Sequence, residues 1–299
     1  MRTFAIAGVQ MHVHAGHDNL DAMRQRLDLL MTRFSWVQMV VFSELAPFGP
    51  SPAHAQPLPG DAEERFREWA MRHHIWLVPG SLFEHYDGHT FNTAPVISPH
   101  GEVVGRYRKM FPFRPYETGV SAGDQFLVFD VPGVARFGVS ICYDMWFPET
   151  TRSMVAQGAE VILHPTLTDT LDRDVELSIA RASAVTNQCY FFDINGLGGG
   201  GNGRSIILGP AGDVIHQAGQ GEEIMPVHVY LDRVRHEREI GLNGLGQPLK
   251  SFRDHNIQFP VYQEPGGSDY LRSLGPLHPP QRSSPSGDGD TGHYLESGG

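Results

Sequence analysis

Cysteine is scarce, with only Cys142 and Cys189 in 299 residues. Two thiols cannot build a disulfide framework, and their scarcity leads us to expect a reducing, cytoplasmic setting. Basic residues are outnumbered as well: 23 Lys and Arg stand against 34 Asp and Glu, a formal net charge of -11. Nucleic acids and anionic membranes both demand a basic face, so neither is expected as a partner. No run approaches the ~18 apolar residues of a membrane span. Residues 1–7 move straight into a strand-like run without the apolar core of a signal peptide. No internal repeat of 20–50 residues is present. What remains is an ordinary globular composition, 40% hydrophobic and 19% charged, long enough for one large domain or two smaller ones.

Short apolar runs alternate with longer amphipathic ones. Residues 4–11, 37–42, 75–83, 90–98 and 103–108 read as strands, and residues 19–34 and 62–73 as helices. Asp18 is a candidate cap for the first helix. The second half continues the style, with strands at 125–131, 135–141, 160–163, 189–194, 203–208, 213–216 and 225–230. Helices are expected at 148–157, opened by Pro148, and at 172–187. Strands and helices alternating in this way suggest two α/β layers packed as a sandwich. From 264 to 299, 19 of 36 residues are Gly, Ser or Pro. We therefore expect a domain over 1–262 and an extended or disordered tail over 263–299.

Several motifs are weak. Residues 196–201 satisfy G-x-G-x-x-G after a strand, but another strand follows where a nucleotide site needs a helix. A glycine loop near a functional site is the better reading. His12, His14 and His17 lack a matching carboxylate or thiol, so no metal is expected, and no cofactor is expected elsewhere. Gly-x-Ser-x-Gly is absent, so there is no serine-hydrolase elbow.

Cys142 differs. It follows a strand and precedes the helix opened by Pro148. A thiol there would stand exposed at a sheet rim, where backbone N–H groups can lower its pKa and stabilise an oxyanion. On its own it is equally compatible with a buried core cysteine. Two further segments break the tie. Glu44 ends the apolar run Val40-Val41-Phe42, and Lys109 ends the run through Tyr107. Amide hydrolysis needs a nucleophile, a base and a positive group for the oxyanion, and Cys142, Glu44 and Lys109 supply one of each.

In order and position these three segments resemble the Glu, Lys and Cys motifs of the nitrilase superfamily, the carbon–nitrogen hydrolases. Gln10, the Phe147-Pro148-Glu149 run with Arg152, the Arg181-Ala182 pair and Ser205 support the resemblance, which extends to about residue 262. It implies a four-layer α-β-β-α sandwich with two sheets of about six strands. It also implies an enzyme that forms at least a homodimer, with Met154 and Val155 as contacts. The superfamily's amidases carry a second glutamate after the lysine, and Glu117 fits, with the implied role of orienting Lys109 and docking the amide nitrogen.

Substrate choice is less sharply written. The superfamily's nitrilases show Cys-Trp-Glu, whereas this chain reads Cys142-Tyr143-Asp144. Its dicarboxylate-monoamide amidases carry an arginine where Trp146 stands, so a carboxylate clamp is missing there, although Arg173 or Arg204 could supply one from another loop. Trp146 followed by Phe-Pro-Glu, and the later Phe252-Arg253-Asp254, look like hydrolases of carbamoylated amines. The expected pocket comprises Phe48, Phe113, Tyr116, Tyr143, Trp146, His164, Thr166 and Leu167. The reading is an amidase for a small uncharged or amine-bearing carboxamide. An N-carbamoyl amine hydrolase is the alternative, and a silent binding protein on the same fold is the alternative of another class.

Overall fold

The computed structural model describes residues 3–263 and 268–277. The chain divides into two units, one of residues 1–113 and 119–258, the other of residues 114–118 and 259–299.

In the first unit, successive side chains along each strand point to opposite faces, and the central strands are buried on both. The elements are β1 (Thr3–Gln10), α1 (Leu20–Arg33), β2 (Met39–Phe42), α2 (Asp61–His73), β3 (Trp76–Val78), β4 (Leu82–Tyr86), β5 (His89–Ile97), β6 (Val103–Arg108) and β7 (Val120–Ser121). Then follow β8 (Leu127–Val131), β9 (Ala135–Val139), α3 (Pro148–Ala156), β10 (Val161–Thr166), α4 (Arg173–Asn187), β11 (Tyr190–Asn195), β12 (Leu197–Gly198) and β13 (Gly201–Asn202). The unit ends with β14 (Ile206–Leu208), β15 (Val214–Gln217), β16 (Glu223–Tyr230), α5 (Leu231–Ile240) and α6 (Pro248–Asp254).

The first sheet runs β16-β1-β2-β3-β5-β4, with β6 and β7 also paired to β5. The second runs β15-β14-β11-β10-β9-β8. Each has a parallel trio, β1-β2-β3 and β9-β10-β11, flanked by antiparallel strands. Phe4, Ile6, Met39 and Val41 from one sheet share a core with Phe137, Val139, Val161 and Leu163 from the other. The alternate residues Ala7, Val9, Val40 and Phe42 pack under α1 and α2 with Met23, Leu27, Phe66 and Trp69. Ile162, Phe191 and Leu208 pack under α3 and α4. The result is the α-β-β-α sandwich. Phe137 is fully buried in its central layer, so truncation to Ala should cost about 3–5 kcal/mol.

Several expectations change in detail. The run 75–83 is two strands, broken at Pro79-Gly80-Ser81. Gly80 has φ +81, and a Cβ there would lie 1.8 Å from the Ser43 carbonyl oxygen, so only glycine lets the chain turn beside the Glu44 strand end. Among the described residues the two large sheets hold eight and six strands, because the 75–83 run is split in two and two-residue β7 also pairs with β5. Met154 and Val155 are not surface contacts. They are 0% and 4% exposed, spent on the core between α3 and α4. Asp18 accepts a hydrogen bond from Leu20 N at 3.2 Å, one residue ahead of the capping position at Asn19.

In the second unit, Thr118 Oγ1 donates to the Pro115 carbonyl at 2.7 Å and Phe259 meets Tyr262 edge-on. Within the segment read as a tail, Asp269–Ser273 forms a short helix, α7, capped by Ser268. Residues 264–267 and 278–299 of that reading lie outside the described residues. Among the described residues no helix is long and apolar enough to cross a membrane.

Candidate active site

Glu44 stands just past the C-terminal end of β2, and its carboxylate is buried. Its Oε1 receives Lys109 Nζ at 2.9 Å and Asn92 Nδ2 at 2.8 Å, and its Oε2 receives the backbone N–H of Leu167 at 3.0 Å. Lys109 follows β6, is 1% exposed, and is held by its own N–H to the Asn92 carbonyl at 2.8 Å. A buried ion pair survives only when hydrogen bonds compensate lost hydration, and these donors do so. Asn92 is a functional neighbour that sequence reasoning missed. The available signal was a buried-strand position filled by Asn, a residue strands disfavour.

Cys142 opens a single 3-10 turn, Cys142–Trp146, after β9. Its φ is +46, a left-handed conformation costing a non-glycine residue about 1–3 kcal/mol. Asp144 holds the turn in that shape. It is fully buried, and its carboxylate accepts from Ile141 N at 2.9 Å, Phe111 N at 2.8 Å and Tyr107 O–H at 2.7 Å. Tyr107 and Phe111 lie on either side of Lys109 in sequence, so one carboxylate ties the lysine segment to the nucleophile turn. Burial nonetheless pushes the Asp144 carboxyl up to about 6. Cys142 is 9% exposed, not standing free at a sheet rim. Burial, then the charge of Glu44, push its thiol well above the usual range, while Lys109 opposes. The thiol therefore rests protonated, the reverse of the lowered pKa expected from its turn, and needs a base to become a nucleophile.

Cys142 lines a cavity of about 200 Å³ with Phe113, Tyr143, Trp146, Leu167 and Thr168. Four of the expected pocket residues thus meet there: Phe113, Tyr143, Trp146 and Leu167. Gly200, from the glycine loop, lines it too. Phe48 does not; it packs against the core beneath α1 and α2. His164 is fully buried in β10, 2.7 Å from Ser140 Oγ, and burial holds its imidazole down at about 4. Thr166 is also fully buried, and its carbonyl accepts from Glu44 N at 3.2 Å. Both are supports, because their strand turns them inward. Tyr116, largely exposed, and Glu117 belong to the short 114–118 segment of the second unit, where Arg114 Nη1 donates to the Glu117 carbonyl at 2.5 Å.

A second polar cluster was invisible to periodicity. Thr168 Oγ1 lies 3.7 Å from Cys142 Sγ and donates to Glu176 Oε1 at 3.2 Å. Trp146 Nε1 reaches the same oxygen at 3.5 Å. Arg173, 1% exposed, contacts Glu176 Oε2 at 3.1 Å and Asp193 Oδ2 at 2.9 Å. Gln10 Oε1 accepts from the N–H and the hydroxyl of Ser205 at 3.0 and 2.8 Å, joining the two sheets near this end. Among the described residues no group of three or more His, Cys, Asp or Glu is arranged to hold a metal ion.

Residues 6–239 match the family model described as carbon-nitrogen hydrolase. The chain belongs to the carbon–nitrogen hydrolase family. This hydrolase is 29% identical over 230 residues to omega-amidase NIT2 of Xenopus tropicalis, covering 71% of this chain and 80% of that one. It is 33% identical over 193 residues to N-carbamoylputrescine amidase of Solanum tuberosum, covering 54% and 62%. The structure of the amidase from Nesterenkonia sp. AN1 in complex with butyramide superposes with a TM-score of 0.69 at 28% identity, covering 81% of this chain and 97% of that one. The family match thus makes the chain a carbon–nitrogen hydrolase, and the relatives named here are amidases.

Proposed function

We propose that this hydrolase cleaves a small carboxamide to carboxylate and ammonia through a thioester on Cys142. The observation that carries the reading is the buried Glu44–Lys109 pair, 2.9 Å apart, whose two charges both act on a thiol held protonated at the wall of the cavity. Glu44 takes the Sγ proton as the sulfur attacks the carbonyl carbon. Lys109 stabilises the oxyanion, with the Tyr143 backbone N–H as second donor. The C–N bond breaks as Glu44 returns the proton to the leaving nitrogen. Water, deprotonated by Glu44, then adds to the thioester; the S–C bond breaks, the acid leaves, and the thiolate is reprotonated. Glu117 belongs to the same reading as the group that orients Lys109 and docks the amide nitrogen.

Intact-protein mass spectrometry after rapid mixing with butyramide or another short amide tests this. We expect an acyl adduct on the wild-type protein and none on Cys142→Ala, with turnover abolished in that variant. Turnover surviving in Cys142→Ala, free of host amidase, would sink the mechanism; no adduct and no turnover with any amide would favour the silent binding protein. A second reading, hydrolysis of an N-carbamoyl amine, draws support from Trp146 in the cavity wall; ammonia release from ureides exceeding that from carboxamides would establish it. Assembly to at least a homodimer is part of the proposal, and a stable 33.1 kDa particle by light scattering at micromolar protein would refute it.

A further inference from the structure

The first turn of α4 places two charges on its buried face. Arg173 and Glu176 stand three residues apart and are 1% and 3% exposed, while Val175 between them is 48% exposed. Arg173 Nη1 bridges Glu176 Oε2 and Asp193 Oδ2, and its Nη2 donates to the Arg204 carbonyl at 2.9 Å. One guanidinium therefore serves two carboxylates. Asp193 is fully buried, and its oxygens take no hydrogen bond besides this ion contact among the described residues. His164, the other basic side chain acting on Asp193, is kept neutral by burial and adds no charge at neutral pH. Lys109 is engaged with Glu44. With both carboxylates ionised, the cluster carries one negative charge more than Arg173 balances. Burying a carboxylate without a full partner costs several kcal/mol, so such an excess is informative.

Only one member of the cluster reaches the cavity. Glu176 lines it, and a single hydroxyl, that of Thr168, stands between its Oε1 and Cys142 Sγ. The lining also includes Asp169 and Asp172 and no Lys, Arg or His. Phe113, Tyr143 and Trp146 supply aromatic surface in the same wall. An ammonium group beside Glu176 would complete the charge balance and meet aromatic faces that attract cations. An anionic group there would meet three carboxylates and no cationic side chain in the lining. Neither suggested clamp is available to an anion: Arg173 is spent within the cluster, and Arg204 pairs with Asp174 at 2.5 Å. Burial, then the charge of Asp193, hold the Glu176 carboxyl up at about 7, the direction expected for a carboxylate short of positive charge. The cavity, about 200 Å³, suits a short chain.

We propose that Glu176 is a specificity-determining residue that seats the ammonium group of a short amine-bearing amide while Cys142 attacks its carbonyl. This rests on the amidase reading above and adds the substrate class. The test compares kcat/KM for 4-aminobutanamide with that for pentanamide, in which a methyl replaces the ammonium. Wild-type protein should favour the cationic amide about tenfold or more, and Glu176→Gln should cut that ratio about tenfold, with Glu176→Asp between them. Because Glu176→Gln also disturbs a buried cluster, a second measurement uses wild-type protein alone. Butylammonium should slow iodoacetamide alkylation of Cys142, and 1-butanol at the same concentration should not. Hydrolysis of both amides with no preference for the cation overturns the role of Glu176 and leaves the amidase reading standing, as does a ratio unchanged in Glu176→Gln. Failure of every amide to acylate Cys142 overturns both.

Discussion

Two buried charge clusters act on Cys142, and they are built to different rules. From the first sheet, Glu44 and Lys109 form a balanced pair in which the carboxylate has two further donors, Asn92 and the Leu167 backbone. From α4 and β11, Arg173 holds Glu176 and Asp193, and Asp193 has no donor besides that contact among the described residues. The first is compensated internally and is suited to moving a proton and steadying an oxyanion. The second is under-compensated and faces the cavity where a substrate would complete it. The comparison separates groups suited to chemistry from groups suited to choice of substrate, though both are equally buried.

The sharpest way to break the comparison is to remove each cation in turn. Lys109→Met should lower kcat/KM at least ~10²–10³-fold, the loss expected for one oxyanion donor, measured on the best available amide. Its stability should fall less than that of Arg173→Met, because Glu44 keeps Asn92 and the Leu167 N–H. Arg173→Met leaves two carboxylates buried together and should cost about 3–5 kcal/mol in urea denaturation. Equal stability losses would show that the clusters are not differently compensated. Asp193→Asn sharpens the point: it leaves Arg173 and Glu176 as a balanced pair, so it should cost much less than Arg173→Met.

Smaller effects follow. His164 has a folded-state pKa of about 4 against an ordinary 6.5. Between those values the unfolded chain binds a proton that the folded protein refuses. Stability from this group is full above pH 6.5 and falls by about 3 kcal/mol as pH drops to 4, at ~1.36 kcal/mol per unit. Asp144 and Glu176, raised to about 6 and 7, change stability in the opposite sense as they titrate, so the comparison is between wild type and His164→Gln. The variant's Tm should fall less steeply with acid over that window; parallel profiles would remove His164 from the account. Smallest, Thr168→Val removes the hydroxyl that touches Cys142 Sγ and donates to Glu176; loss of the single contact to sulfur should slow Cys142 alkylation or acylation only a few-fold, consistent with ~0.5–1.5 kcal/mol.

Much of the sandwich was legible in the sequence because short apolar runs mark strands buried on both faces and 3.6-period stripes mark the buried side of the helices. Glu44, Lys109 and Cys142 were legible for another reason: each stands just past a strand end, and together, in that order, they resemble one family's motifs. The second cluster was not. The buried stripe of α4 begins with Arg173 and Glu176 and leaves Val175 outside, so a reading keyed to apolar residues turns the helix the wrong way. His164 and Thr166 failed as pocket residues because a strand's pleat, unreadable from one residue, points them into the protein. The helix Leu231–Ile240 was missed since only Leu231 and Val234 of its ten residues are buried, too few for a periodic signal.

Asp144 has a consequence for how this enzyme tolerates change. Its carboxylate clasps the backbone of Phe111, the hydroxyl of Tyr107 and the turn that carries the thiol. Attacking sulfur and oxyanion cation are thereby riveted to one another locally, and breathing of the sheets carries them along as a single piece. Beyond Leu167 and Thr168, which touch Glu44 and Cys142, the cavity wall at residues 169–172 and around Gly200 stands outside that rivet. Substitutions there can retune the ligand while leaving the reacting geometry untouched, and heat should abolish turnover only when the sandwich itself melts. A scaffold divided in this way is a favourable starting point for directed evolution: the interchangeable part and the part that must not move are already separate.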